Sequence, residues 1–104
     1  MRAVISIRRS KFEIYMDILA EIKGGTVIPT RIMYRVNLSW KPLKQILETL
    51  TAQMLIEEQS IGGIDKRTRK VYALTEKGEN VLNYFNSAKR LMEMERAVEN
   101  FSRM

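Results

Sequence analysis

Apolar residues recur at helical spacing over most of the chain, and the breaks in that spacing mark the elements. Phe12, Tyr15, Met16, Leu19 and Ile22 follow one another at such intervals and predict a first helix over about 10–23. Ser10 stands before it as an N-cap, with Glu13 at the capping-box spacing. Gly24-Gly25 then ends it, as a left-handed C-cap prefers. Thr26 to Ile28 is short and β-branched, enough for one rung of a strand. Pro29 and Thr30 open a second helix over about 30–36, with Ile32, Met33 and Val36 as its apolar positions. Asn37-Leu38 is the turn, and Ser39 is the next N-cap. Pro42 falls in the first turn of a third helix, where a missing amide hydrogen costs little. Leu43, Ile46, Leu47 and Leu50 give that helix, about 40–53, an inner stripe.

After Leu50 the period changes. Leu55 to Ser60 reads as a strand, and Arg69 to Leu74 as its alternating return. Between them lies a charged loop, 61–69, with Gly62-Gly63 as a hinge. Thr75 caps a final helix whose positive end is met by Glu76 and Glu79. Gly78 costs this helix up to about 1 kcal/mol relative to Ala. No breaker follows before Arg103, and a helix of that length spans about 42 Å. Residues 1–7 alternate and predict a short strand or a loose arm. The expected architecture is α+β: a body over 1–75 in which two antiparallel strands pack beside three helices, and a C-terminal helix over 76–104.

Composition narrows the chemistry. The 104 residues contain neither Cys nor His, which removes disulfides, thiol chemistry, Cys-rich zinc sites and the commonest acid–base catalyst. No cofactor or metal site is expected. No apolar run approaches the roughly 20 residues of a membrane span, and the N-terminal apolar stretch is too short for a signal peptide. The expectation is a soluble, cytoplasmic protein. There is no glycine-rich phosphate loop, and Asp17 and Glu21, which share a helical face, look like a solvated pair rather than a catalytic one. An enzyme is therefore not expected.

The net charge of +6 is unevenly spread: residues 1–40 carry +4, residues 41–75 carry +2, and residues 76–104 are neutral. The basic part coincides with the two helices joined by Asn37-Leu38, the layout of a helix-turn-helix unit. The second helix of such a unit can lie in the major groove with its N-terminal part toward base edges. Its outward residues here are Trp40, Lys41, Lys44, Gln45, Glu48 and Thr49, with Ser39 at its start. Lys reaches guanine acceptors and Gln pairs with adenine. Amphipathic helices always have a polar outer face, however, and Glu48 opposes a phosphate. The loop adds Lys66, Arg67 and Arg69, with Lys70 beyond, against one Asp65. A basic hairpin tip of this kind lies along the phosphate backbone or enters the minor groove, or is simply solvated. Arg8, Arg9 and Lys11, and Arg31 with Arg35 one turn apart, are phosphate contacts or ordinary surface charges. Trp40 has two readings, packing at the turn or stacking against sugar and base.

Two runs carry a family resemblance: Thr30-Arg31-Ile32-Met33-Tyr34 followed by Asn37-Leu38-Ser39, and Tyr72-Ala73-Leu74-Thr75-Glu76-Lys77-Gly78 entering the last helix. Their order and spacing resemble the winged-helix domains of archaeal DNA-binding proteins, and most of all the ten-kilodalton 10a-type chromatin family. The resemblance covers about residues 10–100. It implies a winged helix that binds double-stranded DNA through helix 3 and the wing, often with little sequence preference, and that dimerises through an antiparallel coiled coil of its C-terminal helices. This chain departs from the family in a longer wing and a shorter tail.

The tail supports self-association on its own pattern. Tyr84, Ser87, Leu91, Met94, Val98 and Phe101 alternate spacings of three and four, an a/d seam over about three heptads. Val81, Phe85, Ala88 and Met92 form a second stripe, suited to packing on helix 1. Two stripes need two partners, the body and a second copy, unless the helix bends back over one body. The function expected is a homodimeric, nucleoid-associated DNA binder, either a transcription regulator or a chromatin protein, with no small-molecule ligand evident. The alternatives are a protein-interaction module of the same fold and an RNA binder using Trp40 and Tyr34 for stacking.

Overall fold

A computed structural model describes residues 9–62 and 69–102, with side chains up to residue 100. The expected strand or arm at 1–7, the wing residues Lys66 and Arg67 and the side chain of Phe101 lie outside the described residues. The elements run α1 (Lys11–Lys23), α2 (Pro29–Val36), α3 (Trp40–Ala52), β1 (Ile56–Ile61), β2 (Arg69–Leu74) and α4 (Glu76–Ser102).

Three helix starts show what an N-cap needs. Ser10 accepts a hydrogen bond from the Glu13 amide, and Glu13 accepts one from the Ser10 amide, closing the capping box. These bonds hold the Glu13 carboxyl below its ordinary range, the Ser10 amide contributing most. Thr75 caps α4 in the same way, accepting from the Gly78 amide at 3.0 Å. Ser39 occupies the N-cap of α3 but makes no side-chain cap bond. The residue three places on is Pro42, which has no N–H to give. The expected serine cap is therefore a cap by position only.

The turns also differ in detail from the sequence pattern. At the end of α1 the C-cap Gly24 is right-handed, and the left-handed residue is Gly25, at φ 106°. Asn37 closes α2 in the left-handed conformation, which Asn tolerates. Met54 does the same after α3 at φ 62°, an uncommon choice for a side chain of its kind. Its neighbour Leu55 gives its amide to Leu50 and its carbonyl to the Thr75 amide, so it belongs to the helix end and not to the strand. That shifts β1 one residue beyond the expected 55–60.

The two strands pair antiparallel from Ile56↔Leu74 to Ile61↔Arg69. Ile61, expected in the loop, thus pairs with Arg69, the expected start of the returning strand, in the last rung of the ladder. The expected rung at 26–28 is a single hydrogen bond, from the Tyr72 amide to the Val27 carbonyl, and the described sheet has two strands.

The core gathers one stripe from each helix. The α3 stripe Leu43, Ile46, Leu47 and Leu50 is buried throughout, as its spacing predicts. Ile32 and Val36 come from α2, Met16, Ile18, Leu19 and Ile22 from α1. Ile18, fully buried, was outside the predicted stripe; α1 is covered by α2, α4 and β2 together, so its buried face is wider than one stripe. Phe12, inside the predicted stripe, stays half exposed and meets Phe85 edge-to-face at 5.2 Å.

Gly78 has a structural reason that the pattern did not show. A Cβ there would lie 2.1 Å from the Leu55 carbonyl oxygen. Its absence lets α4 start hard against the end of α3. Beyond Phe85, α4 leaves the body. The long axis of the molecule is 67 Å and the radius of gyration 17.2 Å, against about 13 Å for a compact chain of this size.

Candidate nucleic-acid interface

Packing fixes which face of α3 is free. With Leu43, Ile46, Leu47 and Leu50 turned inward, Lys41, Lys44, Gln45, Glu48 and Thr49 are all exposed. Trp40 is 47% exposed, so the turn buries only about half of its indole. Ser39 is exposed beside it. The hydroxyls of Thr49 and Thr51 donate to the carbonyls of Gln45 and Leu47, one turn back. Thr51, expected on the polar side, is half-buried, so lysine, glutamine and indole are the groups of α3 available to a ligand.

The remaining cations divide into two kinds. Arg9 is a structural tie: it donates to Asp17 on α1 and to the Val36 carbonyl at the end of α2. Arg35 donates to Glu21 at 3.1 Å, and Glu21 also accepts from the Thr26 hydroxyl. Asp17 and Glu21, the only carboxylates considered for chemistry, are therefore held in ion pairs. Arg31 and Arg69 have no ion-pair partner among the described residues. They line, with Lys70, one open depression of about 500 Å³ where the start of α2 meets the base of the wing. So Arg31 and Arg35, expected to share a face, are directed to different neighbours, and Arg31 is joined by two cations distant in sequence. Lys70 stands 3.7 Å from Glu58. Glu58 also accepts from the Tyr72 hydroxyl at 3.0 Å, and burial together with that carboxylate pushes the Tyr72 phenol up to about 12.

Among the described residues there is no cluster of carboxylates suited to a metal ion, and no helix is long and apolar enough to cross a membrane. The arrangement offers positive charge and hydrogen-bond donors on an exposed helix, the chemistry of polyanion binding.

The seam of α4 is open to solvent over its described length: Tyr84 is 77% exposed, Leu91 67% and Met94 59%, and Val98 is exposed as well. The second stripe packs on the body only through Val81 and Phe85, with Leu82 buried between them. Ala88 and Met92, expected against helix 1, are exposed: they line an open groove with Phe12 of α1 rather than packing closely on it.

Comparison with known proteins places this geometry. The winged helix-turn-helix family model matches residues 8–93. Uncharacterized protein MJ0287 of Methanocaldococcus jannaschii is 34% identical over 74 residues, covering 71% of this chain and 67% of the relative. Uncharacterized protein MJ0290 of the same organism is 32% identical over 87 residues, 84% of this chain but only 37% of the relative. Among solved structures, Sso10a-2, a DNA-binding protein from Sulfolobus solfataricus, superposes with a TM-score of 0.64 at 21% identity, over 88% of this chain and 90% of that one. The zinc-responsive MarR family member ZitR of Lactococcus lactis gives 0.65 at 18% identity, over 88% of this chain and 62% of its own. These likenesses are of fold. The chain belongs to the winged helix-turn-helix family.

Proposed function

We propose that this protein is a dimeric, cytoplasmic binder of double-stranded DNA, acting as a transcription regulator or as a nucleoid-associated chromatin protein. The observation that carries the reading is the outward row of α3, where Lys41, Lys44 and Gln45 are exposed together beside a half-exposed Trp40. Such a row suits the edges of bases in a major groove. The depression holding Arg31, Arg69 and Lys70 supplies a second cationic surface, and the wing residues Lys66 and Arg67 extend the charge in sequence. Sso10a-2 is described as a DNA-binding protein, and the structure of ZitR has been solved in complex with DNA, which supports carrying the activity over to this fold. The exposed seam of α4, Tyr84, Leu91 and Met94 with Ala88 beside it and Val98 and Phe101 continuing the pattern, supports antiparallel pairing of two copies. Pairing joins two modest DNA sites into one of higher avidity.

A salt-dependent titration tests this, comparing random duplex with the DNA upstream of the protein's own gene. Affinity should fall steeply with salt, by about 0.9 in logarithmic slope per phosphate contacted. Equal affinity for both duplexes identifies the chromatin role, and a large ratio the regulator. Lys66→Ala with Arg67→Ala should weaken all sequences alike, whereas Lys44→Ala and Gln45→Ala should change preference, by roughly 1–3 kcal/mol for a lost base contact. No binding at low salt would overturn the reading. It would favour the second one, a protein-interaction module, for which Glu48 on the outward face of α3 and the exposed ring of Tyr34 are the supporting observations.

A further inference from the structure

The depression at the start of α2 is built from two parts of the chain distant in sequence. The Tyr72 amide donates to the Val27 carbonyl at 3.0 Å and so ties the segment before α2 to β2. Arg31, in the first turn of α2, then lines one depression with Arg69 and Lys70 at the base of the wing. Both arginines stand on fixed backbone. The Arg31 amide donates to the Ile28 carbonyl at 2.9 Å, and Arg69 pairs with Ile61 in the ladder. Among the described residues no carboxylate lines the depression. Glu58, 3.7 Å from Lys70, is shared with the Tyr72 hydroxyl. The first turn of α2 carries neither an acidic residue nor a side-chain cap. Three cations are thus held together against their mutual repulsion, with one shared counter-charge among the described residues.

We propose that this depression binds the phosphate group of a small phosphate monoester, and that the bound ester and DNA exclude one another there. The exclusion rests on the DNA reading above; the binding site does not. Charge is the first argument. A phosphate monoester carries nearly two negative charges at neutral pH and offers three strong acceptor oxygens. A phosphate within a DNA backbone carries one. Arg31 and Arg69 have no counter-charge among the described residues, and Lys70 has a shared one. The positive charge left over suits a dianion better than a diester. Geometry is the second argument. A guanidinium fork takes two oxygens at once, and two forks on different elements can share the three oxygens of one phosphate. Size is the third. About 500 Å³ exceeds a bare phosphate and falls in the range of small-molecule sites, roughly 300–1,000 Å³. The half-buried Ile28 and Pro29 give the body of the ester an apolar wall. A mononucleotide has this combination of a dianionic end and a flat apolar face. Once filled, the depression no longer offers a backbone phosphate the charge it would seek there.

Adenosine 5′-monophosphate is the probe, titrated into the full chain by calorimetry at constant ionic strength, with adenosine as its uncharged control. The nucleotide should bind with a dissociation constant of about 1 mM or below, and adenosine should not bind. Arg31→Gln and Arg69→Gln should each weaken the nucleotide about tenfold, the usual effect of one lost charged hydrogen bond. Arg96→Gln, which removes the same charge on distal α4, should leave nucleotide binding unchanged. Nucleotide at ten times its dissociation constant should weaken binding of a random duplex about tenfold. Duplex affinity that does not change overturns the exclusion. No nucleotide binding by the wild type, or equal binding by Arg31→Gln, overturns the site. If duplex affinity still falls in Arg31→Gln, the depression serves the DNA backbone alone and the proposed function stands. Nucleotide binding that depends on Arg31, in a chain that binds no duplex at low salt, keeps the site and removes the DNA reading.

Discussion

The body and the distal half of α4 use the same periodic pattern to opposite ends. In α3 the residues Leu43, Ile46, Leu47 and Leu50 recur at helical spacing and are all buried. In α4 the residues Tyr84, Leu91 and Met94 recur just as regularly and are each more than half exposed. Periodicity states which face of a helix is apolar. What covers that face depends on the neighbours, and the body packs against α4 only through Val81, Leu82 and Phe85 among the described residues.

Truncating one residue in each region gives the sharpest test of this contrast. Leu47→Ala should cost about 3 kcal/mol or more in urea unfolding, the usual cost of a buried leucine lost. Leu91→Ala should leave unfolding of the dilute chain within about 0.5 kcal/mol and act on self-association instead. Equal losses at both sites would mean that distal α4 is folded onto its own body. Gly78→Ala probes the border between the regions. The added Cβ meets the Leu55 carbonyl oxygen at 2.1 Å, and a loss of about 3 kcal/mol is expected in thermal or urea unfolding. A change near zero would show that α4 can start further from α3 than it does.

A pH titration separates the regions by a smaller margin. Tyr72 sits in the body with its phenol raised from 10.0 to about 12. The folded state holds this proton more tightly than the unfolded chain, so the stabilisation is complete below pH 10. It is lost as the pH rises through about 12. Tyr72→Phe should lose this part of the alkaline fall, measured as urea midpoints between about pH 9 and 12. The smallest effect is at the other end of the body. Ser10→Ala removes half of the capping box and should cost about 1 kcal/mol. Combined with Leu91→Ala it should add nothing to the change in self-association.

How far the sequence could be read follows the same division. The six elements carrying regular spacing, capping signals or alternation stood within a residue or two of their predicted bounds, and the α3 stripe was legible in full. What the sequence did not show were relations between distant residues. Gly78 looked like a cost within its own helix until the Leu55 carbonyl was seen above it. Ser39 looked like a working cap because nothing in a single position says that Pro42 has removed the donor. In the interface, the outward residues of α3 were legible from the inward ones. The division of the arginines was not: Arg9 and Arg35 are tied to α1 carboxylates, whereas Arg31 meets Arg69 and Lys70 from the far side of the chain. Charges of one type at similar exposure carry no local mark of their partners.

One junction ties the two regions mechanically. The Lys77 ammonium donates to the Gln53 carbonyl at 2.8 Å, the Thr75 amide donates to Leu55, and its hydroxyl faces the Met54 and Leu55 carbonyls at 2.7 and 3.0 Å. All of these bonds join the start of α4 to the three residues that follow α3, with Gly78 closing the gap. The long helix is thus a lever whose fulcrum is the segment that ends α3. A tilt of its free end would load the hydrogen bonds to residues 53–55, which follow directly on α3. A partner that gripped α4 at a distance would therefore pull on the same residues that close α3.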